Sequence, residues 1–181
     1  MKEAGLRELI LMRHGKSSWD DPSLDDFDRP LAPRGRKAAS RMGAEIAARG
    51  WLPDHAVVSA ALRTRQTWRR VAAELDGAAP RPQYDEALYM ASADRMLAVV
   101  RAVPAKTSRL MLVGHNPGME ELARGLAGPG SDAEALTAMR AKFPTAALAR
   151  FELPAGWAGA GPAAARLTHF LRPRAVASAR D

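Results

Sequence analysis

The 181-residue chain contains no cysteine, and aromatic residues make up only 6% of it. The absence of cysteine excludes disulfides, thiolate zinc sites, iron–sulfur clusters and a cysteine nucleophile. No apolar run approaches the roughly 20 residues that a helix needs to cross a bilayer, and the N-terminus lacks the separate apolar core of a signal peptide. We therefore expect a cytoplasmic protein with no membrane partner.

Positive charge is the one marked bias of the composition. The chain has 27 Lys and Arg against 20 Asp and Glu, which gives a formal net charge of +7. Such a chain could bind nucleic acid, but its basic residues are dispersed and are not interleaved with aromatic side chains. The positive field is better suited to steering an anionic substrate, and we expect no nucleic-acid partner.

Short apolar runs alternate with amphipathic stretches along the chain, which predicts strands alternating with helices. The predicted elements are strand 6–12, helix 33–49, strand 55–59, helix 63–75, a short helical piece 86–90, helix 93–103, strand 110–113, helix 117–126, and strands 145–153 and 165–171. This order predicts a three-layer α/β/α sandwich around a mixed but largely parallel sheet. The length predicts a single domain over residues 1–172 and a flexible C-terminal tail over 173–181.

Three of the predicted strands are followed by residues suited to binding phosphate. They are Arg13-His14-Gly15 after the first strand, Arg63 shortly after the second, and Gly114-His115 after the strand at 110–113. Because the carboxyl ends of parallel strands meet at one edge of a sheet, we expect two His and two Arg to lie together there.

This set of residue types suits phosphoryl transfer. A neutral imidazole can attack phosphorus and carry the phosphoryl group as a phosphohistidine. Guanidinium groups match the non-bridging oxygens with paired hydrogen bonds, a second His can supply another donor, and Gly15 lets the backbone approach the phosphate. Ser59 is not expected to be a nucleophile, because no GxSxG turn surrounds it. The Asp-rich loop 20–28 lacks the ligand spacing of a calcium loop, so we expect it to be solvated.

Four segments of the sequence resemble, in the same order, the motifs of the histidine phosphatase superfamily, also called the phosphoglycerate-mutase-like family. They are LMRHG at 11–15, RPL at 29–31 followed by Gly35, SAALRTRQT at 59–67, and GHNP at 114–117. The resemblance extends from residue 9 to about residue 171. The short length, without room for a long lid, is most similar to the SixA-type phosphohistidine phosphatases.

The resemblance implies roles for particular residues. His14 would be the nucleophile that becomes phosphorylated, while Arg13, Arg63 and His115 would hold the phosphate, with no metal or organic cofactor. Glu86 stands roughly where larger relatives place a carboxylate proton donor, and it could equally be a helix-start carboxylate. Asp20 departs from the mutase-like pattern, in which an Asn faces the phosphate at about this position, and it would repel substrate unless it points away.

These observations favour a metal-independent phosphatase that works through a covalent phosphohistidine. Its partner would be a phosphorylated protein, above all one phosphorylated on histidine, or a small phosphometabolite. A catalytically silent phosphate-binding module is the alternative from another class, although the presence of all four core residues argues against it. A mutase is disfavoured because retaining a phospho-enzyme against water requires a closed lid.

Overall fold

The computed structural model describes residues 5–178, and a single six-stranded sheet forms its centre. The strands are β1 (Arg7–Arg13), β2 (His55–Ser59), β3 (Gln83–Asp85), β4 (Arg109–Gly114), β5 (Leu148–Leu153) and β6 (Arg166–Leu171). They lie in the order β3-β2-β4-β1-β5-β6. The first four strands in this order are parallel to one another, whereas β5 pairs antiparallel with both β1 and β6.

Helices cover both faces of this sheet. They are α1 (Pro33–Ala48), α2 (Leu62–Ala73), α3 (Ala93–Ala102), α4 (Gly118–Leu126), α5 (Ala133–Ala141) and α6 (Pro173–Ser178). The buried side chains of α1, α2 and α6 share one apolar cluster, and those of α3, α4 and α5 share the other. The predicted three-layer α/β/α sandwich with a largely parallel mixed sheet is therefore confirmed.

The central strand β1 contributes to both apolar layers. Leu9 and Leu11 point into the layer with α3, α4 and α5, whereas Ile10 and Met12 point into the layer with α1 and α2. A strand that is buried on both faces needs apolar residues at every position. This requirement explains why β1 has a continuous apolar run rather than an alternating pattern.

Three short elements differ from the sequence prediction. The helix α5 was not predicted, since it buries only Ala135 and Met139, although the Asp132 side chain caps its N-terminus by accepting from Ala135 N at 2.8 Å. The edge strand β3 also escaped prediction because it has only three residues, two of them exposed. A flexible tail was predicted from 173, but residues 173–178 form α6, which packs on α1 and buries Val176. The rest of that tail, 179–181, lies outside the described residues.

The parallel strands determine where the phosphate-binding motifs meet. The carboxyl ends of β1, β4 and β2 open onto the same edge of the sheet, and α2 begins there as well. Over residues 5–178, none of the helices is both long enough and apolar enough to cross a membrane.

Candidate active site

The two predicted site histidines lie side by side at this edge. β1 and β4 are paired so that Arg13 lies opposite Gly114, and His14 N donates a hydrogen bond to Gly114 O at 3.1 Å. The next residue of each strand is therefore a histidine, and the ring centroids of His14 and His115 are 5.2 Å apart. The expected pairing of these residues at the sheet edge is what the structure shows.

A recess of about 310 Å³ opens at this edge, and its lining includes His14, Arg13, Lys16, Arg29, Arg63 and the carboxylate of Asp26. A larger recess of about 570 Å³ lies between α1 and α2, but neither site histidine lines it. We place the candidate site in the smaller recess because it holds the convergent cations and the imidazole.

The His14 ring has a defined proton arrangement. Its Nδ1 lies 2.7 Å from the carbonyl oxygen of Gly15. Because a carbonyl can only accept a hydrogen bond, Nδ1 carries the proton and Nε2 keeps its lone pair. Burial, together with the nearby charges of Arg63 and Arg13, lowers the pKa of His14 to about 4. The imidazole is therefore neutral near pH 7, which is the form that can attack phosphorus.

The second ring is held by Ser59, the last residue of β2, for which no role was predicted beyond its exclusion as a nucleophile. His115 Nε2 lies 2.7 Å from Ser59 Oγ, and both side chains are buried. Burial is the main cause that lowers the pKa of His115 to about 3, with the charges of His14 and Arg63 acting in the same direction. When Ser59 donates to Nε2, the proton of the neutral ring sits on Nδ1 and is available to another acceptor.

Unpartnered buried donors are concentrated around His14. Among the described residues, five buried side-chain nitrogens lack a hydrogen-bond partner, and three of them are Arg13 Nε, Arg63 Nε and His115 Nδ1. The other two belong to Arg65 and Arg150, which do not line the recess. Because buried polar groups are nearly always hydrogen-bonded in folded proteins, the unpartnered Nε atoms of Arg13 and Arg63, two residues that line the recess, indicate a place where an anion can bind.

A carboxylate–arginine cluster forms one wall of the recess, and the sequence analysis missed it. Asp26 Oδ1 accepts from Arg29 Nε at 3.1 Å and Nη2 at 2.8 Å, while Oδ2 accepts from Arg63 Nη2 at 3.0 Å and Tyr89 Oη at 2.5 Å. Arg63 Nη1 also donates to the backbone oxygen of Asp26 at 2.6 Å. The Asp-rich loop is therefore not merely solvated, because Asp26 ties it to α2 and to Tyr89.

The Asp26 carboxyl group is ionised at neutral pH and therefore has no proton to donate. The hydrogen bond from Tyr89, followed by those from Arg29 and Arg63, holds the pKa of Asp26 well below its usual range. The only sequence signal for this cluster is that Asp26 stands three residues before Arg29 in the RPL segment. Its contacts with Arg63 and Tyr89 join residues 37 and 63 positions apart, which no local pattern reveals.

The structure does not bring Glu86 into the recess. This residue begins a 3-10 turn, Glu86–Leu88, in which only Leu88 is buried, and its own side chain is exposed. Tyr89, three residues further on, reaches the site instead, with its ring 5.5 Å from that of His115. Asp20 is exposed and does not line the recess, so the repulsion considered for this position does not arise there.

Gly15 has a packing role that the sequence analysis did not foresee. A Cβ atom on Gly15 would lie 2.7 Å from the backbone oxygen of Gly35, which is closer than such contacts allow. The backbone after β1 therefore fits tightly against the start of α1. Gly15 N also donates to Thr67 Oγ1 at 3.0 Å, which connects this segment to α2. Among residues 5–178, no group of three or more His, Asp or Glu side chains is arranged to hold a metal ion.

At the edge of a largely parallel sheet, the recess combines a neutral histidine with several arginines, an arrangement suited to binding phosphate. The chain belongs to the histidine phosphatase superfamily, branch 1, whose family model matches residues 9–89. An uncharacterized protein of Mycobacterium tuberculosis is 35% identical over 164 residues, covering 90% of this chain and 100% of the relative. An uncharacterized chloroplastic protein of Arabidopsis thaliana is 37% identical over 130 residues, which cover 67% of this chain and 60% of the relative.

Solved structures of SixA proteins share the fold over nearly the whole chain. A candidate phosphohistidine phosphatase SixA from Nakamurella multipartitia superposes with a TM-score of 0.81 at 32% identity, covering 95% of this chain and 99% of the other. A protein histidine phosphatase SixA complexed with tungstate gives a TM-score of 0.75 at 21% identity, covering 93% and 99%. At that lower identity the likeness concerns the fold alone.

Proposed function

We propose that this protein removes phosphoryl groups from phosphohistidine in proteins through a covalent phosphohistidine formed on its own His14. One observation carries the proposal. His14, a buried neutral imidazole with an unprotonated Nε2, lines the same recess as Arg13 and Arg63, whose buried Nε–H donors have no partner among the described residues. The names of the similar SixA structures support the same substrate class.

In the first step, His14 Nε2 attacks the phosphorus atom of the substrate. A new N–P bond forms, and the bond between phosphorus and the leaving nitrogen breaks, with its electron pair going to that nitrogen. The N–H groups of Arg13, Arg63 and His115 would donate to the non-bridging oxygens, on which negative charge accumulates. Donors that are already in place when the charge develops need no reorganisation during the reaction.

In the second step, water attacks the phosphorus atom of phosphohistidine 14. A new P–O bond forms while the N–P bond breaks, the electron pair of the N–P bond returns to Nε2, and the two water protons leave with the product as dihydrogen phosphate. The hydrogen bond from Nδ1 to the Gly15 oxygen is retained throughout, so that the ring keeps one orientation and one tautomer. The same three donors would serve both steps.

The absence of a protonated acid in the recess favours a nitrogen leaving group. Asp26 is the carboxyl group that lines the recess, and it is ionised near pH 7, while Glu86 lies outside. An alkyl phosphate needs a proton on its leaving oxygen. Phosphohistidine does not need one from the enzyme, because its imidazole is itself basic and can be protonated before attack.

A substrate panel with a trapped intermediate tests this proposal. We expect hydrolysis of a histidine-phosphorylated protein and of aryl phosphates, poor hydrolysis of alkyl phosphates, and no change with EDTA. Rapid quenching should trap an acid-labile, base-stable phospho-enzyme that is absent from His14→Ala. His55→Ala is the matched control, since His55 begins β2 at the opposite edge of the sheet. More than a few per cent of wild-type turnover in His14→Ala would contradict the covalent route.

A further inference from the structure

The mouth of the recess carries the two most exposed large apolar side chains among residues 5–178. Trp19 is 69% exposed and Met90 is 51% exposed, and both border the recess that holds His14. We propose that these two residues, here called the rim, are the docking surface for the folded protein that carries the phosphorylated histidine. This inference rests on the proposed function and adds the surface by which the protein substrate is bound.

Trp19 is exposed but firmly held. The guanidinium carbon of Arg29 lies 3.5 Å from the centroid of the Trp19 ring. Arg29 itself is buried and is hydrogen-bonded to Asp26 and, at 2.8 Å, to Ser17 Oγ. A tryptophan that is already stacked on a buried cation loses little side-chain freedom when a partner covers its other face. Such preorganised aromatic residues are typical anchors of protein interfaces.

Met90 completes the rim in an unusual backbone conformation. Its φ angle is +50°, a region that non-glycine residues rarely adopt. Its Sδ lies 3.9 Å from Arg63 Nη2, so that this exposed side chain stands directly beside the phosphate-binding arginine. Strained backbone is typically retained where the position of a side chain matters for function. Methionine can also adapt its shape to different apolar surfaces.

The rim, rather than the volume of the recess, favours a protein over a free metabolite. A volume of about 310 Å³ is near the lower end of the roughly 300–1,000 Å³ found for small-molecule pockets. A phosphorylated imidazole would occupy the recess and leave the outward faces of Trp19 and Met90 in water. A protein surface around that imidazole would cover both, and the net charge of +7 favours an acidic partner.

Paired substrates test this inference separately from the catalytic one. We would compare kcat/KM for a small acidic phosphocarrier protein phosphorylated on histidine with kcat/KM for free phosphohistidine, in wild type, Trp19→Ala and Met90→Asn. Asn is chosen because it tolerates positive φ. Wild type should prefer the protein, and each variant should lower the protein-to-free ratio by about tenfold or more. Leu52→Ala, an exposed apolar residue preceding β2 at the opposite edge of the sheet, should leave the ratio unchanged.

Tryptophan fluorescence adds a direct binding readout. Of the four tryptophans, Trp51, Trp68 and Trp157 are buried, so acrylamide quenching reports mainly on Trp19. Adding the phosphorylated carrier to His14→Ala should shift the emission to the blue and protect it from acrylamide. If addition of the carrier causes no shift, the docking surface is wrong. It is also wrong if the shift depends on enzyme concentration alone, because the rim would then bind a second copy of this chain.

The outcomes also separate the two proposals. If wild type hydrolyses the protein and free phosphohistidine equally well, or if both rates fall together in the rim variants, the docking surface is wrong and the proposed function stands. If wild type hydrolyses aryl phosphates but neither phosphohistidine substrate, the proposed function is wrong.

Discussion

The replacement Arg63→Lys keeps a positive charge at the site and removes the planar array of donors. Arg63 is 2% exposed, and both of its terminal nitrogens are engaged by Asp26, at 2.6 Å and 3.0 Å. Its Nε is buried and without a partner in the described part of the chain. A lysine ammonium can replace one of these contacts with Asp26, but it places no donor at the position of Nε.

The size of the effect follows from that missing donor. Losing one preorganised donor to a developing oxyanion costs about 2.7–4 kcal/mol of transition-state stabilisation. At about 1.4 kcal/mol for each factor of ten, kcat/KM should fall about 100-fold to 1,000-fold. The loss should appear mainly in kcat, because the charge that attracts the substrate remains.

Steady-state kinetics on a histidine-phosphorylated protein, with the melting temperature as a check on folding, measures this effect. Arg65→Lys is the matched control, since Arg65 lies on the same helix and also has a buried, unpartnered Nε, but it stacks on Tyr84 outside the recess. We expect the control to stay within twofold of wild type. A folded Arg63→Lys variant with nearly wild-type kcat would refute the assignment of its Nε to the phosphate.

Three further outcomes follow from the site. Ser59→Ala removes the hydrogen-bond partner of His115 Nε2, so kcat/KM should fall about tenfold. An unchanged kcat/KM would show that the His115 ring does not need this hydrogen bond. Glu86→Gln should change kcat/KM for aryl, alkyl and histidine phosphates by less than about twofold, because Glu86 is exposed. A selective fall in kcat/KM for alkyl phosphates would support Glu86 as the proton donor. Folding lowers the pKa values of His14 and His115 to about 4 and about 3. Below about pH 6.5 the unfolded chain therefore binds more protons than the native chain, and the free energy of unfolding decreases as the pH is lowered. Melting curves from pH 7 to pH 5 should show this decline, and it should be shallower in His115→Gln; equal slopes would contradict the shift.

Most of the residues proposed for chemistry were predictable because they stand at the end of a short, strongly apolar strand. Arg13 is the last residue of β1, His14 follows it directly, and His115 follows β4. Once the sheet is parallel, such positions must meet at one edge. Glu86 was proposed only from its position in larger relatives, and that position says nothing about the direction in which a one-turn 3-10 helix presents its side chain, which here is exposed and outside the recess.

The sequence by itself predicted most of the alternation of strands and helices, the family, and the four residues proposed for chemistry. These properties depend on local patterns, namely apolar periodicity and short motifs, which are written along the chain. Only the tertiary structure decided that Asp26 joins Arg63 and Tyr89, that Ser59 supports His115, and that Trp19 and Met90 flank the same recess. The reason is physical: these contacts join residues from separate loops and helices, and their geometry depends on how the layers pack rather than on any local preference of the chain.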